Sequence, residues 1–375
     1  MKRGRDSYEI KMTKILNSIT RSGLTAPRIA TLMITNNCNL SCRHCLPESL
    51  FHDTAPPVPV DAIKKLIQEF ILLGVEEICL TGGEPLTHPD WFEILSFACR
   101  QHDLHRVRLQ TNGTLLTGLD IEAICSINSK SLAVQVSLDG STAETNDIVR
   151  GIGSFEQIIQ GLKLLAAAGM GHQVVVAFTE MRHNFEQLSD LLKLLDKLGI
   201  GSLVSGTLII GGRAVLTDRI APPTPSQYRE LLNLYHSDSQ FKTLYKKLGN
   251  IAALEWFAGK SYPMPESCNC MENPYVNADG VMYPCLMLPI ETLAVKDVYQ
   301  RPLEEILLEG LSLWAELPNL HHRRSVEIEA CKDCPGRQHC AGGCMGRAYA
   351  STMDFMNVED RCELRKEVYS WESLS

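Results

Sequence analysis

The sequence predicts an α/β protein built on parallel strands and followed by a smaller cysteine-rich region. From about residue 29 to residue 240, short apolar runs alternate with amphipathic helical segments, and beyond residue 265 cysteines become frequent. Strands that alternate with helices are typical of a parallel sheet with right-handed crossovers. With 375 residues, 45% of them hydrophobic, the chain is long enough for one large and one small domain.

Six strand–helix units are predicted in the first region. The strands are expected at residues 29–35, 77–80, 106–110, 133–138, 173–178 and 202–209, and the helices at residues 60–73, 89–100, 118–125, 155–168, 185–198 and 225–235. In a barrel of such units the loops that follow the strands converge on one face, where active sites lie. Polar motifs that follow a strand are therefore the candidates for function.

Composition excludes several classes of function. The net charge of -8 gives no support to a nucleic-acid partner, although residues 1–28 carry several basic residues and are predicted to form a solvated, helical lead. Neither a secretory segment nor an apolar run of membrane-spanning length is found, so a soluble, cytoplasmic protein without a membrane partner is expected. In that reducing compartment, 14 cysteines indicate metal binding rather than disulfides.

Three of these cysteines follow the first predicted strand within eight residues: Cys38, Cys42 and Cys45. Thiolates on one tight loop can hold three corners of a cubane iron–sulfur cluster and leave the fourth iron open. A structural zinc knuckle is the alternative, but zinc normally recruits a fourth nearby Cys or His, and the loop offers only His44.

This loop resembles the signature of the radical S-adenosylmethionine (SAM) enzymes. The resemblance implies that the six units form a partial (β/α)6 TIM-type barrel. It also implies that SAM binds the open iron and is cleaved to methionine and a 5'-deoxyadenosyl radical, which abstracts hydrogen from a substrate. Cys38, Cys42 and Cys45 would then be the catalytic cluster ligands, and His44 would lie beside the adenine.

Two further motifs follow the second and third predicted strands. Gly82, Gly83 and Glu84 resemble the motif of the family that binds the amino group of SAM, and Asn112 resembles a SAM-contacting position. Glycines let backbone approach a ligand closely, and a carboxylate can accept a hydrogen bond from an ammonium group. Read alone, the Gly82–Glu84 motif would be an ordinary turn, and the stretch around Asn112 is a turn by composition.

After the fourth predicted strand, Ser137 and Asp139 are placed to bind ribose or carboxylate groups, or else to cap the turn into the next helix. Arg150 could pair bidentately with the SAM carboxylate. Its alternative is a solvated surface arginine.

The C-terminal region carries eight further cysteines, which suffice for two fully ligated cubane clusters. Together with the segment from Asp279 to Cys285, their spacing resembles the SPASM extension of radical SAM enzymes. The resemblance implies one auxiliary 4Fe–4S cluster on Cys268, Cys270, Cys285 and Cys344, and a second on Cys331, Cys334, Cys340 and Cys362. Structural zinc sites are the alternative. The remaining Cys79, Cys99 and Cys125 are predicted core residues.

The predicted organisation is therefore a basic lead (residues 1–28), a radical SAM barrel (29–240), a helical bridge (241–265) and a SPASM domain (266–375). The predicted cofactors are three 4Fe–4S clusters and SAM. The non-enzymatic alternative, a zinc-stabilised binding module, predicts neither iron nor SAM cleavage.

Two substrate classes remain open. SPASM relatives include modifiers of ribosomally made peptides, sulfatase maturases and enzymes that alter tetrapyrrole side chains. Sulfatase maturases carry an aspartate directly after the cysteine equivalent to Cys285, where this chain has Leu286. We expect an oxidative peptide modification, such as cross-linking or dehydrogenation, with a tetrapyrrole or other small molecule as the alternative.

The predicted partners follow from this chemistry. Only 28 residues precede the first predicted strand, fewer than a peptide-binding domain needs. A peptide substrate would then require a separate recognition protein or contacts with the basic lead. Ferredoxin or flavodoxin is the expected reductant, and activity is expected only under anaerobic conditions.

Overall fold

The computed structural model describes residues 2–47, 49–51, 56–259, 268–340 and 342–372. Within them, nine strands form one sheet and two short strands form another. The strands are β1 (Ile29–Met33), β2 (Asn37–Cys38), β3 (Leu50–Phe51), β4 (Glu77–Thr81), β5 (Arg106–Thr111), β6 (Leu132–Ser137), β7 (Val174–Glu180), β8 (Ser202–Thr207), β9 (Gly249–Asn250), β10 (Tyr275–Val276) and β11 (Met282–Tyr283).

Helices cover most of the remaining described chain. They are α1 (Lys2–Arg21), α2 (Val60–Leu72), α3 (Trp91–Cys99), α4 (Gly118–Ile127), α5 (Ala143–Arg150), α6 (Ser154–Ala167), α7 (Leu188–Leu198), α8 (Pro225–Ser237), α9 (Ser239–Leu248), α10 (Ala252–Gly259), α11 (Leu303–Trp314), α12 (Leu317–Glu327), α13 (Arg337–Cys340), α14 (Met345–Thr352) and α15 (Cys362–Ser370). None of the described helices is long and apolar enough to cross a membrane.

The predicted parallel α/β architecture is confirmed. The sheet order is β11-β10-β1-β4-β5-β6-β7-β8-β9, and every pair from β1 to β9 in this order is parallel. All six predicted strands are present. The first ends earlier than predicted because the Thr35 side chain accepts a hydrogen bond from the Asn37 backbone N–H at 3.1 Å, which turns the chain into the cysteine loop.

Strands β5, β6 and β7 alternate buried residues with more exposed ones. In β6, Val134 and Val136 are fully buried, whereas the alternate Gln135 and Ser137 are half-buried, as the two-residue period of a strand requires. Helix α7 buries Leu188, Leu191, Leu192 and Leu195, the spacing of an amphipathic helix. Each such leucine stabilises the fold by about 1.5–3 kcal/mol.

One helix of the barrel was not predicted. Helix α5 begins after Thr142, whose side chain accepts a hydrogen bond from the Thr145 backbone N–H, and it ends at Arg150, before Gly151 with φ +105°. A side-chain cap of this kind stabilises a helix start by about 1 kcal/mol. Because α5 lies directly beyond β6, it brings Arg150 to the carboxyl ends of the strands.

The N-terminal lead is helix α1, and it is packed as well as solvated. Its Met12, Ile15 and Ile19 are buried in the core, and its Lys11 ammonium lies 3.2 Å from a carboxylate oxygen of Glu304 in α11. In the predicted bridge, α9 and α10 are helical, and residues 260–267 lie outside the described residues.

The cysteine-rich region is joined to the barrel at two edges. Strand β10 pairs in parallel with β1, and β11 pairs antiparallel with β10. At the other edge, the buried Arg347 in α14 donates hydrogen bonds to the carbonyl oxygens of Thr207 and Leu208, where β8 ends. The C-terminal region therefore lies across the strand ends that carry the predicted site.

Candidate functional site

Three cysteines lie directly beyond the carboxyl end of β1. Cys38 belongs to β2, and Cys42 and Cys45 lie in the loop that follows. The thiols of Cys42 and Cys45 lie close enough to Cys38 to raise its pKa when they are ionised. Burial raises the pKa of Cys38 to about 11, so the metal-free thiol is protonated at neutral pH and would release its proton on binding iron.

The loop after β8 holds the cysteine loop in place. Arg213 donates from Nε to the Cys42 carbonyl oxygen at 2.9 Å and from Nη1 to the Ser49 carbonyl oxygen at 2.8 Å. A Cβ on the preceding Gly212 would lie 2.4 Å from the Cys45 carbonyl oxygen, and its φ is +53°. Only glycine permits this approach.

A buried charge cluster lies beside the thiols. The fully buried Asp139 places Oδ2 2.8 Å from Arg150 Nε and 3.1 Å from His44 Nε2, and its Oδ1 accepts a hydrogen bond from the Thr179 backbone N–H at 2.8 Å. Burial favours the neutral acid, but the Arg150 charge and then His44 hold the pKa of Asp139 well below its usual range. The carboxylate is therefore ionised and orients both partners.

Two features of this cluster suit a bound ligand. His44 Nδ1 is buried without a hydrogen-bond partner, and a buried polar atom of this kind normally has one. The charges of Cys42 and Cys38 act on Arg150, which is 6% exposed. The Arg150 guanidinium, held beside the cysteine loop, can therefore bind the carboxylate of a ligand.

The Gly82–Gly83–Glu84 turn packs against the segment that enters the cysteine loop. A Cβ on Gly82 would lie 2.7 Å from the Thr35 carbonyl oxygen, and one on Gly83 would lie 2.3 Å from that of Asn37. Close backbone approach therefore requires both glycines.

The side chain of Glu84 has protein partners. It is fully buried and accepts hydrogen bonds from the backbone N–H groups of Leu86 (3.2 Å) and Asn112 (2.6 Å) and from the Thr111 hydroxyl (2.8 Å). Burial raises the pKa of Glu84 to about 7 against these hydrogen bonds. Its carboxylate thus ties the ends of β4 and β5 together.

Asn112 and Ser137 complete the predicted set at this face. Asn112 donates from Nδ2 to Asn39 Oδ1 at 2.8 Å, and the same nitrogen lies 4.0 Å from Cys38 Sγ. Ser137 is the last residue of β6 and is half-buried. The tertiary structure therefore gathers the predicted SAM contacts around the cysteine loop, except Ser137, which is placed only at the carboxyl end of β6.

The C-terminal cysteines form two groups. In the first group, Cys268 shares a side-chain hydrogen bond with Cys270 that lowers the pKa of Cys268 to about 7. Cys344 and Cys268 lie close enough to Cys285 to raise its pKa when they are ionised. The second group lines one cavity and consists of Cys331, Cys334, Cys340 and Cys362. The grouping is the one that the family resemblance implies.

The donor set suits iron–sulfur clusters. The thiols are grouped as three, four and four, the numbers for one cubane with an open iron and two that are fully ligated. In the part of the chain that the structure describes, no three His, Cys, Asp or Glu side chains are spaced to hold a single metal ion.

A cleft of about 760 Å³ is lined by residues from both cysteine-containing regions. Leu46, next to Cys45, and Leu286, next to Cys285, are both among its lining residues. Aromatic and thioether side chains line much of it: Met33, Tyr275, Tyr283, Met287, Tyr349 and Met353. Among the described lining residues Asp279 is the single charged one, and none is Lys, Arg or His.

Comparison with known proteins agrees with this geometry. Residues 32–195 match the radical SAM superfamily. The chain is 29% identical to an AdoMet-dependent heme synthase of Methanosarcina barkeri, over 91% of this chain and 97% of that protein. It is also 29% identical to the mycofactocin maturase MftC of Mycobacterium ulcerans, over 91% and 89% of the two chains.

A solved structure shares the fold. Streptococcus suis SuiB bound to its precursor peptide SuiA superimposes with a TM-score of 0.70 at 16% identity, covering 93% of this chain and 78% of that one. The chain therefore contains a radical SAM domain, and these relatives indicate an enzyme of the radical SAM class, which uses a 4Fe–4S cluster and SAM.

Several arginines of the site were not predicted. Arg213 secures the cysteine loop, Arg347 joins the two regions, and Arg324 lies among the C-terminal cysteines. Arg347 and Arg324 are buried, and a buried arginine is unusual. The spacing of basic residues along the chain contains no signal for such burial, because the partners are carbonyl groups far along the chain and, for Arg347, the carboxylate of Asp360.

Proposed function

We propose that this enzyme oxidatively modifies a ribosomally made peptide, by cross-linking or dehydrogenation, inside the cleft between the two cysteine-containing regions. Cys38, Cys42 and Cys45 would hold the SAM-binding cluster. When bound, that cluster supplies the electron for reductive cleavage of SAM, the reaction that starts hydrogen abstraction from the substrate. The residues around it bind and orient SAM and keep water away.

We propose two kinds of role for the surrounding residues. His44, through its unpartnered Nδ1, and Arg150, through its guanidinium, would contact SAM directly, together with Asn112, Ser137 and the backbone at Gly82 and Gly83. Asp139 and Glu84 have buried carboxylates that protein donors already occupy. They would act on SAM by holding these contacts in position.

We further propose one auxiliary 4Fe–4S cluster at each C-terminal cysteine group. The grouping of thiols supports this assignment, since each group supplies the four ligands that a closed cubane needs. Hydrogen abstraction leaves a substrate radical, which would pass one electron to the cluster next to Leu286 and lose one proton to water, so that the peptide loses two hydrogens in all. External reduction by ferredoxin or flavodoxin would return the SAM-binding cluster to its active state.

The lining of the cleft is our reason for proposing a peptide substrate rather than a tetrapyrrole. Apolar and aromatic side chains bury neutral residues well. A tetrapyrrole with several carboxylates would need cations, and the described lining has none. The solved relative bound to a precursor peptide supports the same choice. A separate recognition protein, or the basic helix α1, would bind the rest of the peptide.

Carboxylated tetrapyrroles are the second candidate, because the M. barkeri heme synthase aligns along almost its whole length.

A sulfatase substrate is not favoured. Leu286, where sulfatase maturases have aspartate, lines the cleft. The proton acceptor of the sulfatase maturase reaction is thus replaced by an apolar side chain.

Anaerobic reconstitution followed by metal analysis and a SAM-cleavage assay tests the proposal. About twelve irons per chain with 5'-deoxyadenosine formed is the expected result for three cubanes. Zinc without cleavage would overturn it in favour of a binding module. About four irons with cleavage would retain the enzyme but remove the auxiliary clusters. Undiminished turnover in air would contradict the anaerobic requirement.

The substrate class is tested on the same preparation. A peptide is expected to lose two hydrogens, a mass decrease of about 2 Da, in proportion to 5'-deoxyadenosine formed. Precursor peptides encoded beside this protein's gene are the probes, and a carboxylated porphyrin is the comparison. Conversion of the porphyrin but not of a peptide would establish the second candidate.

A further inference from the structure

A fully buried arginine lies between the two C-terminal cysteine groups. Arg324, in α12, is 0% exposed. It donates from Nη1 to the Asn357 carbonyl oxygen at 2.9 Å and from Nη2 to the Gly342 carbonyl oxygen at 2.6 Å. Its Nε has no hydrogen-bond partner. Among the described residues, no carboxylate oxygen lies within 4.0 Å of its nitrogens.

The position of Gly342 puts Arg324 beside both groups. Gly342 lies in the short segment that joins Cys340, of the second group, to Cys344, of the first. Cys344, Glu359, Cys331 and Cys340 lie close enough to Arg324 to raise its pKa when they are ionised, and Arg324 lowers the pKa of Cys268 in turn. Thiols of both groups therefore face one guanidinium.

A lone buried cation is costly, because burial removes its hydration and no ion pair replaces it. Glu359 is the carboxylate that affects the pKa of Arg324. It already accepts hydrogen bonds from Arg361 (2.7 Å) and Arg365 (2.6 Å). The cation still lacks a counter-charge of its own. Two thiolate-ligated clusters, each with net negative charge, would supply it.

We propose that Arg324 is a positioning residue whose fixed positive charge raises the reduction potentials of both auxiliary clusters. The inference rests on the proposed function, since it needs clusters at both groups. Adding an electron makes a cluster more negative, and a nearby cation in a low-dielectric interior stabilises that form. Both clusters would then accept an electron from a substrate radical more readily.

The test is a redox titration, followed by electron paramagnetic resonance, of full-length reconstituted protein in which Cys38, Cys42 and Cys45 are alanine. Only the C-terminal clusters carry iron in this background, about eight per chain. Arg324→Met is compared with Arg324→Lys and with the control Arg323→Met. Arg323 is the adjacent residue, 50% exposed and paired with Glu327 at 3.0 Å.

We expect Arg324→Met to move both midpoint potentials to more negative values. We expect Arg324→Lys to stay close to the parent, because it keeps the charge, and Arg323→Met to leave both potentials unchanged. Unchanged potentials in Arg324→Met at full iron content would overturn the proposal.

The two Arg324 variants also separate charge from packing. Equal shifts in Arg324→Met and Arg324→Lys would overturn the proposal, since they would point to the two carbonyl hydrogen bonds rather than to charge. If Arg324→Met fails to load iron, Arg324→Gln takes its place as the variant without the charge, and the same comparison with Arg324→Lys decides. Failure of the parental background to bind iron would instead refute the auxiliary clusters themselves.

Discussion

Replacing Asp139 with asparagine should separate the electrostatic core of the site from its shape. Asparagine keeps the size of the side chain, and its oxygen can still accept from the Thr179 backbone N–H. Its amide nitrogen would then face Arg150 Nε and His44 Nε2, which lie 2.8 and 3.1 Å from Asp139 Oδ2. The amide N–H groups would then face the N–H donors of Arg150 and His44, with no acceptor between them. The buried guanidinium of Arg150 would also lose its counter-ion.

The magnitude follows from burial. Removing one partner of a buried ion pair costs about 3–5 kcal/mol, and both partners are almost completely buried, with side-chain exposures of 6% and 0%. A matched control is Asp190→Asn, which makes the same chemical change in a pair with Lys193 whose side chains are 67% and 49% exposed. An exposed pair contributes less than about 1 kcal/mol.

Urea unfolding of the metal-free protein measures the stability, and equilibrium binding of SAM to the reconstituted protein measures the site. Asp139→Asn should lower the free energy of unfolding by several kcal/mol and weaken SAM binding, whereas Asp190→Asn should change neither noticeably. A loss of stability no larger than that of Asp190→Asn would refute the account of the charge cluster.

Three further results are expected. Changing Cys38, Cys42 and Cys45 to alanine should abolish SAM cleavage and leave the C-terminal iron; retained cleavage would contradict the cluster assignment. Glu84→Gln should lower the free energy of unfolding by about 1–3 kcal/mol, because its amide would face a buried N–H donor; unchanged urea unfolding would argue against the tie between β4 and β5. Burial raises the pKa of Glu180, which accepts from Ser205 and Thr207. Its stabilising effect is thus full below its unfolded pKa of about 4.5 and is lost as pH rises through its folded pKa. The stability difference between parent and Glu180→Gln should then shrink as the pH rises above about 4.5, and a difference that grows would refute the shift.

Much of the fold was predictable because its signals are local. The apolar runs that became β4, β5 and β6 lie within two residues of their predicted bounds, since burial on a parallel sheet requires continuous apolar or alternating sequence. Helix α5 was missed because its eight residues are mostly polar. A capped start and contacts with α6 stabilise it, rather than an apolar face.

The cysteine spacing by itself determined the chemistry of this protein. Ligand identity and number are local properties, so three thiols on one loop and eight in the C-terminal region indicate clusters before any fold is known. Only the tertiary structure decided how the supporting residues are used. Glu84 is occupied by donors from β5, and Arg150 and His44 share one buried carboxylate from the end of β6. Arg324 lies between two cysteine groups. These contacts join residues far apart in the chain, and the free energy of burying a charge depends on what surrounds it in space, which neighbouring residues in the sequence do not specify.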